Sequence, residues 1–342
     1  MRKINWGVLG LGNIAQKFLQ CFSEIQNSNL LAIASKDPVK LEYSKKKFNI
    51  KNDFAFEDYE KLIKCEEIDI VYISLPNSLH LYWLTKCIKN KKKVLVEKPA
   101  ILNFEEAINL KNTLEKEKIF FAEGFMYRYD PLIIQIINLI KKNEIGDLLS
   151  LETSFGVNLL TKKKFIFFKK NKKINKNDRK FNKKLGGGCI LDLGCYTTSL
   201  TILISSLLKN KDNKNFKIKV LEREIGETGV DIHSKAKIIY ENGFISKVNA
   251  SYKDDLGNNT IIKGKNGEIH IINTFLGIEE IRVILNNGSY IIKKQLNKNI
   301  YSEEIENISQ NIIDGANRPL FPAMQLEETL LNMKILESWK NE

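Results

Sequence analysis

Lys98 stands between Glu97 and Pro99, directly after the apolar, strand-like run Lys93–Val96. A lysine leaving the carboxyl end of a strand in a parallel sheet points its ammonium into the crevice where such sheets bind ligands. Pro99 fixes the turn and biases Lys98 away from helical geometry. Farther along, Gly186, Gly187 and Gly188 precede an apolar, helix-like run in which Asp192 and Tyr196 fall four apart, on one helical face. Consecutive glycines let a backbone lie close to a ligand, although the same pattern also suits a hinge before a core helix. An ammonium, a carboxylate and a phenol are the parts of a proton-transfer site. A phenol, with an ordinary pKa near 10, is a poor base at neutral pH, and a nearby cation lowers that value.

A second group of residues points to a dinucleotide. Gly10-Leu11-Gly12-Asn13-Ile14-Ala15 follows the apolar strand Ile4–Leu9 and opens a helix. In that setting the first glycine permits a tight turn, the second lets backbone approach a pyrophosphate, and Ala15 permits close helix packing. The N–H groups at the helix start then face the anion. The next strand, Leu30–Ala34, ends in Ser35-Lys36 rather than in an acidic residue. A hydroxyl and a cation suit a ribose 2′-phosphate, so NADP is preferred over NAD, with Asp37 arguing the other way.

The elements that must position these groups change rhythm once. Up to about Phe121, strand-like runs (Ile4–Leu9, Leu30–Ser35, Asp69–Ser74, Lys93–Val96, Ile119–Phe121) alternate with helix-length stretches such as Ile14–Gln26 and Phe104–Lys116. That order builds an N-terminal Rossmann domain, a doubly wound parallel sheet, over residues 1–122. Residues 123–342 read as an α+β domain with a largely antiparallel open sheet. Its signals are a helix after Asp130, a strand near Leu148–Phe155, a helix after Gly188, and hairpin turns at Glu241-Asn242-Gly243 and Asn287-Gly288. Helical stretches at Glu303–Asp314 and Met324–Trp339 close the chain.

Composition excludes several classes. The chain has 342 residues, 43% of them hydrophobic, which is long for one core and suits two domains. Apolar runs are broken by charge before the ~20 residues of a membrane span, and no signal peptide is evident. Five scattered cysteines without a CxxC pair suit reduced thiols in a cytoplasm and no metal site. The net charge of +13 and the stretch Lys162–Lys184 invite a nucleic-acid partner, but lysine and asparagine are enriched along the whole chain and no nucleic-acid module surrounds them.

Together with the segment Glu123-Gly124-Phe125-Met126-Tyr127-Arg128-Tyr129, these motifs follow the order found in the Gfo/Idh/MocA oxidoreductases, which the chain resembles over nearly its whole length. Within them it looks most like the dimeric dihydrodiol dehydrogenase and NADP-dependent xylose dehydrogenase group, which also has Tyr rather than His four residues after the Asp. Asn177-Asp178-Arg179 looks like theirs too. The resemblance implies that Lys98 sits beside the nicotinamide, that Tyr196 donates or accepts the proton, and that Asp192 binds substrate or orients its neighbours. It further implies cofactor contacts from Leu75, Pro76, Asn77, His80 and Glu97, and a homodimer or tetramer. The expected substrate is a sugar, cyclitol or sugar derivative. Arg128 and Arg179 would add forked donors that match a charged sugar. Two alternatives share the fold: a dinucleotide-dependent glycosidase, and a non-catalytic dinucleotide sensor, against which the joint presence of Lys98, Asp192 and Tyr196 speaks.

Overall fold

The computed structural model describes residues 2–165, 168–172, 174–208, 214–295 and 298–342. In chain order these give β1 (Ile4–Leu9), α1 (Asn13–Gln20), β2 (Ser28–Ala34), α2 (Pro38–Lys47), β3 (Ala55–Phe56), α3 (Tyr59–Lys64), β4 (Ile70–Ile73), α4 (His80–Lys89), β5 (Lys93–Glu97), α5 (Phe104–Glu117) and β6 (Phe121–Gly124). There follow α6 (Pro131–Lys141), β7 (Leu148–Gly156), β8 (Thr161–Phe165), β9 (Phe168–Asn171) and α7 (Cys195–Ser205). Strands β10 (Phe216–Ile225), β11 (Asp231–Tyr240), β12 (Ile245–Ser251), β13 (Thr260–Gly264), β14 (Gly267–Ile271), β15 (Glu280–Leu285) and β16 (Gly288–Lys293) precede α8 (Ile300–Ile313) and α9 (Leu326–Asn341). Two compact units result: Met1–Tyr129 with Lys298–Leu330, and Asp130–Asn297 with Leu331–Glu342. The chain thus returns to its first unit near the end, which a linear division at 122/123 does not include.

In the first unit six parallel strands take the order β3-β2-β1-β4-β5-β6. The alternation of strand and helix dictates this arrangement, and strands covered on both faces become continuous apolar runs, as in the fully buried Ile70–Ile73. The two-residue β3 has too little pattern to be read from the sequence. Helix α8 explains the return of the chain: Ser309 Oγ accepts from Trp6 Nε1 at 2.9 Å and pairs with Ser28 Oγ at 2.8 Å, while Tyr301 meets Phe18 edge-on. Phe18 in turn stacks on Tyr72 at 3.9 Å.

The second unit carries an eight-stranded sheet, β10-β11-β12-β7-β13-β14-β15-β16, antiparallel except where β12 runs parallel to β7. Both expected hairpins form, β11–β12 across Glu241-Asn242-Gly243 and β15–β16 across Asn287-Gly288. Alternate residues of β11 face the core, Ala236, Ile238 and Tyr240 among them. Trp339 of α9 is fully buried with its Nε1 donating to Ser234 Oγ at 2.9 Å. Helix α7 is entered through a π-type turn, Ile190–Gly194, where an ordinary α-helix is expected from the apolar run. The stretch Lys183–Ser205 is the one described helix long and apolar enough to cross a membrane, and its apolar window is entirely buried inside the protein, as a core helix is. Within the basic stretch Lys162–Lys184, residues 166, 167 and 173 lie outside the described ones, and β8 and β9 form a small antiparallel pair.

Glu304 of α8 is almost fully buried, and its Oε1 has no hydrogen-bond partner. Burial, followed by the charge of Glu97, pushes its carboxyl well above the usual carboxylate range. The folded chain therefore holds this proton more tightly than the unfolded chain does. Its contribution to stability is full below the ordinary carboxylate value of about 4.3 and is lost as pH rises towards the folded value. Replacing Glu304 by the neutral isostere, Glu304→Gln, should raise the melting temperature relative to wild type more at about pH 8 than at about pH 4.5. Parallel melting curves for the two proteins across that range would show that Glu304 is not held protonated.

Candidate functional site

Parallel register sets the cofactor edge of the first unit. Because β1, β4 and β5 run side by side, with Leu9 opposite Ile73 and Ile73 opposite Val96, the residues that follow them emerge along one edge of the sheet. Gly10 turns with φ +87, where a Cβ would lie 2.7 Å from Leu75 Cδ2 and 3.0 Å from the Ser74 carbonyl oxygen. The glycine is required by the chain's own packing. Gly12 differs: its φ is an ordinary −73, and a Cβ there would meet nothing within 4 Å. Space has been kept beside it. Helix α1 begins at this point with no side-chain cap and no acidic residue in its first turn, so its end is suited to an anion. Leu11 is buried, while Asn13 and Ile14 are exposed around that space. A dinucleotide pyrophosphate fits such an end.

The neighbouring residues sort into contacts and supports. Asn77 is 5% exposed, and its Nδ2 has no partner, so a buried donor waits for an acceptor. Leu75 is buried and Pro76 exposed on the same turn. His80 does not serve as a surface contact to a cofactor: it is fully buried, with its ring nitrogens 3.0 Å from the Pro99 carbonyl oxygen and 2.8 Å from that of Leu75. It ties the turn after β4 to the turn after β5 instead. Glu97 is likewise turned inward, accepting from the Tyr72 hydroxyl and, at 3.3 Å, from the Lys98 amide. Burial, then the Glu97 charge, pushes the Tyr72 phenol well up, so it stays a donor. Lys98, half-buried, is thereby delivered from the end of β5 by a fixed turn.

At the end of β2, Ser35 is buried and its Oγ accepts from the Asp37 amide at 3.1 Å. Asp37 caps α2, accepting from the amides of Val39 and Lys40, both at 3.1 Å. Those contacts, with the Lys40 amide foremost, hold its carboxyl below the usual range. The acidic residue that argued for NAD is thus engaged in a helix cap. Lys36 is exposed, its Nζ 5.7 Å from the centre of the Tyr59 ring.

The second unit holds a polar cluster of its own. Asp192 is 6% exposed, its Oδ2 accepting from the Tyr252 hydroxyl at 2.9 Å and its Oδ1 standing 3.5 Å from Arg179 Nη1. Tyr196, one turn on, is buried against Phe155 and Phe275, each ring 5.4 Å away. The glycine run before them serves the chain itself, and so follows the second of the two readings that the sequence left open, a hinge before a core helix. A Cβ on Gly187 would lie 2.7 Å from the carbonyl oxygens of Arg179 and Lys180, and one on Gly188, at φ +118, 2.6 Å from the Asp231 carboxylate. Asp231 accepts from the Ile190 amide at 2.7 Å and so anchors the start of the helix. Close approach of the 179–180 backbone is what brings Arg179 to Asp192. Tyr252 and Asp231 lie far along the sequence in β-rich runs and have no motif around them, so no sequence signal marks them.

Arg128 requires correction. Its side chain is fully enclosed in the first unit, where Nη1 donates to Glu328 Oε2 at 2.8 Å and to the Pro322 carbonyl at 3.3 Å. A guanidinium without solvent exposure, committed to a largely covered carboxylate, is a structural ion pair rather than a substrate contact. Nearby Glu123 is buried too, held by the Thr329 hydroxyl and the Ala100 amide. The segment Glu123–Tyr129 therefore supports the end of the sheet.

Comparison with known proteins finds two family models that match in succession along the chain. Residues 4–125 match the family described as "Oxidoreductase family, NAD-binding Rossmann fold", and residues 133–270 match the GFO/IDH/MocA C-terminal domain. A trans-1,2-dihydrobenzene-1,2-diol dehydrogenase of Xenopus tropicalis is 27% identical over 270 residues, covering 78% of this chain and 74% of that one. The D-xylose 1-dehydrogenase (NADP(+)) 2 of Haloferax volcanii is 26% identical over 247 residues, covering 72% of this chain and 69% of its own. The aldose-aldose oxidoreductase of Caulobacter crescentus, solved with glycerol, shares the fold at a TM-score of 0.85 and 20% identity, covering 99% of this chain and 97% of that one.

The two glycines should separate on substitution. Gly12→Ala should leave the ligand-free protein folded, at a cost of up to about 1 kcal/mol for an alanine at a helix N-cap. It should weaken NADPH at least about tenfold, or 1.4 kcal/mol. Gly10→Ala should lower the melting temperature more. Cofactor fluorescence titration with thermal denaturation reads both, and undiminished binding by Gly12→Ala would show that its open space is not the pyrophosphate site. In the same titration Lys36→Ala should weaken NADPH more than NADH, because only the former carries the 2′-phosphate. Equal losses would remove Lys36 from the site.

Proposed function

This chain belongs to the GFO/IDH/MocA oxidoreductases, NAD(P)-dependent enzymes of sugars and sugar derivatives, and from that premise we propose that it oxidises or forms a secondary hydroxyl on a neutral sugar or cyclitol, with NADP preferred over NAD. The observation that carries the reading is the pair of features at the edge of the first unit's sheet: open space at Gly12 and the unpartnered buried donor of Asn77. When bound there, the nicotinamide cofactor supplies or takes up the hydride.

The chain's own residues do the rest. In the oxidative direction the substrate's C–H leaves as hydride and its O–H proton must go to a base, for which Tyr196 is the candidate. Lys98 brings a positive charge of the kind that stabilises a developing alkoxide. Asp192, whose Oδ2 accepts from Tyr252 and whose Oδ1 stands 3.5 Å from Arg179, accepts a hydrogen bond from a substrate hydroxyl. A neutral substrate is favoured over a charged one by the fate of the arginines. Arg128 is sealed against Glu328, and Arg179 already faces a carboxylate, which leaves no forked pair of cations for an anionic group. The family resemblance adds a homo-oligomer, and five cysteines without a disulfide accord with a cytoplasmic setting.

A screen of aldoses and cyclitols for reduction of NADP+ tests the substrate class. Lys98→Met and Tyr196→Phe should each abolish most turnover while leaving NADPH affinity within about tenfold. Retention of wild-type kcat by Tyr196→Phe, on a substrate whose chemistry limits the rate, would overturn the acid–base assignment. Tight retention of the cofactor with no release of NADPH would favour a glycosidase instead.

A further inference from the structure

Tyr252 directly follows β12 and is completely buried, its ring edge-on to Phe181 at 5.6 Å. Its hydroxyl lies 2.9 Å from Asp192 Oδ2 and 3.2 Å from the Gly188 carbonyl oxygen. A phenol has one proton to donate, and the charged, closer carboxylate is the stronger acceptor. Burial, then the charge of Asp192, pushes this phenol well above its ordinary value, which suits it to act as a neutral donor. The two oxygens of Asp192 are therefore unlike: Oδ2 is turned inward to Tyr252, and Oδ1 is turned to Arg179, whose side chain is 39% exposed.

We propose that Tyr252 is a positioning residue that, by donating to Oδ2, fixes the carboxylate plane of Asp192 so that Oδ1 and Arg179 together recognise a vicinal diol. One hydroxyl of the diol donates to Oδ1, and the oxygen next to it accepts from the guanidinium. Shape and charge around the pair agree with this. Asp231 holds the start of the helix through the Ile190 amide, and the Gly187–Gly188 backbone carries Arg179 alongside, so both halves of the pair rest on anchored main chain. Without the Tyr252 hydroxyl a buried carboxylate oxygen loses its donor, and the side chain swings to regain one. The proposal rests on the reading of Asp192 as a substrate-binding residue, and its tests are chosen to separate the two.

The experiment compares D-glucose with 2,4-dideoxy-D-glucose, which keeps no pair of adjacent hydroxyls, as probes, with NADP+, in wild type and Tyr252→Phe. Phenylalanine keeps the ring against Phe181. The preference for the diol should fall about tenfold in kcat/KM through a higher KM for glucose, while NADPH affinity is unchanged. Added to Asp192→Asn, Tyr252→Phe should cause no further loss. Equal losses on both probes, or additive losses in the double variant, would assign Tyr252 a merely structural part. A second measurement needs no turnover: 13C NMR titration of the Asp192 carboxyl, whose charged and titratable surroundings are Arg179, Tyr252, Asp231, Cys189, Cys195 and Tyr196. Loss of the donor should raise its pKa by about one pH unit in Tyr252→Phe. An unchanged titration would overturn the proposal whatever the sugar assay shows. Failure of the sugar screen beside a shifted titration would sink the substrate reading and leave the Tyr252–Asp192 coupling intact. Should Tyr252→Phe not fold, the low-field Tyr252 hydroxyl proton of wild type must move upfield in Asp192→Ala, where the Gly188 carbonyl is the acceptor left to it, and an unmoved resonance would equally overturn the coupling.

Discussion

Parallel strand register is the constraint on which the functional edge of the first unit depends. Strands that run the same way end at the same edge, so whatever follows β1, β4 and β5 is gathered there without any long-range recognition between the motifs themselves. The gathering is then locked by polar contacts within the edge. Ser74 donates to the carbonyl oxygens of Leu9 and Gly10, and His80 spans from Leu75 to Pro99. Groups that a motif-based reading assigns to the ligand are, in several cases, the fastenings of the turns that present others to it. His80, Glu97 and Arg128 are of this kind, whereas Gly12 and Asn77 face outward chemically, one by leaving room and the other by leaving a donor unsatisfied.

In the second unit the constraint is electrostatic. A carboxylate withdrawn from water is costly unless its lone pairs are met. Asp192 is met by Tyr252 on one oxygen and by Arg179 at the other, and each partner needs scaffolding of its own. Tyr252 depends on the end of β12, Arg179 on the bare backbone at Gly187, and the helix that carries Asp192 on the Asp231 carboxylate at its start. The glycine run is thus explained by internal crowding. The parallel β12–β7 pairing, an exception within an otherwise antiparallel sheet, sets where Tyr252 emerges.

Buried acids form a third theme. Burial drives the carboxyls of Glu123 and Glu304 upward, and hydrogen bonds from Thr329 and Ala100 offset part of that for Glu123. Glu304 and Ser309 belong to α8, so the helix that seals Trp6 and Ser28 also introduces a titratable group beneath the Glu97 turn. Stability and the setting of the Lys98 turn are therefore linked through one helix drawn from the far end of the chain.

The amino-acid order by itself determined the layers of both units, the glycine turn, the Lys98 turn and the helix bearing Asp192 and Tyr196. Each of these is written in local periodicity or in residues whose backbone preferences act over a few positions. Tertiary structure decided the rest. Whether Arg128 meets a substrate or Glu328, whether Gly188 faces a ligand or Asp231, and which residue holds Asp192 depend on partners 200, 43 and 60 positions away. The return of α8 to the first unit is of the same kind. Such pairings are fixed by packing and by the need to satisfy buried charge, and these act between residues that become neighbours only once the chain has folded.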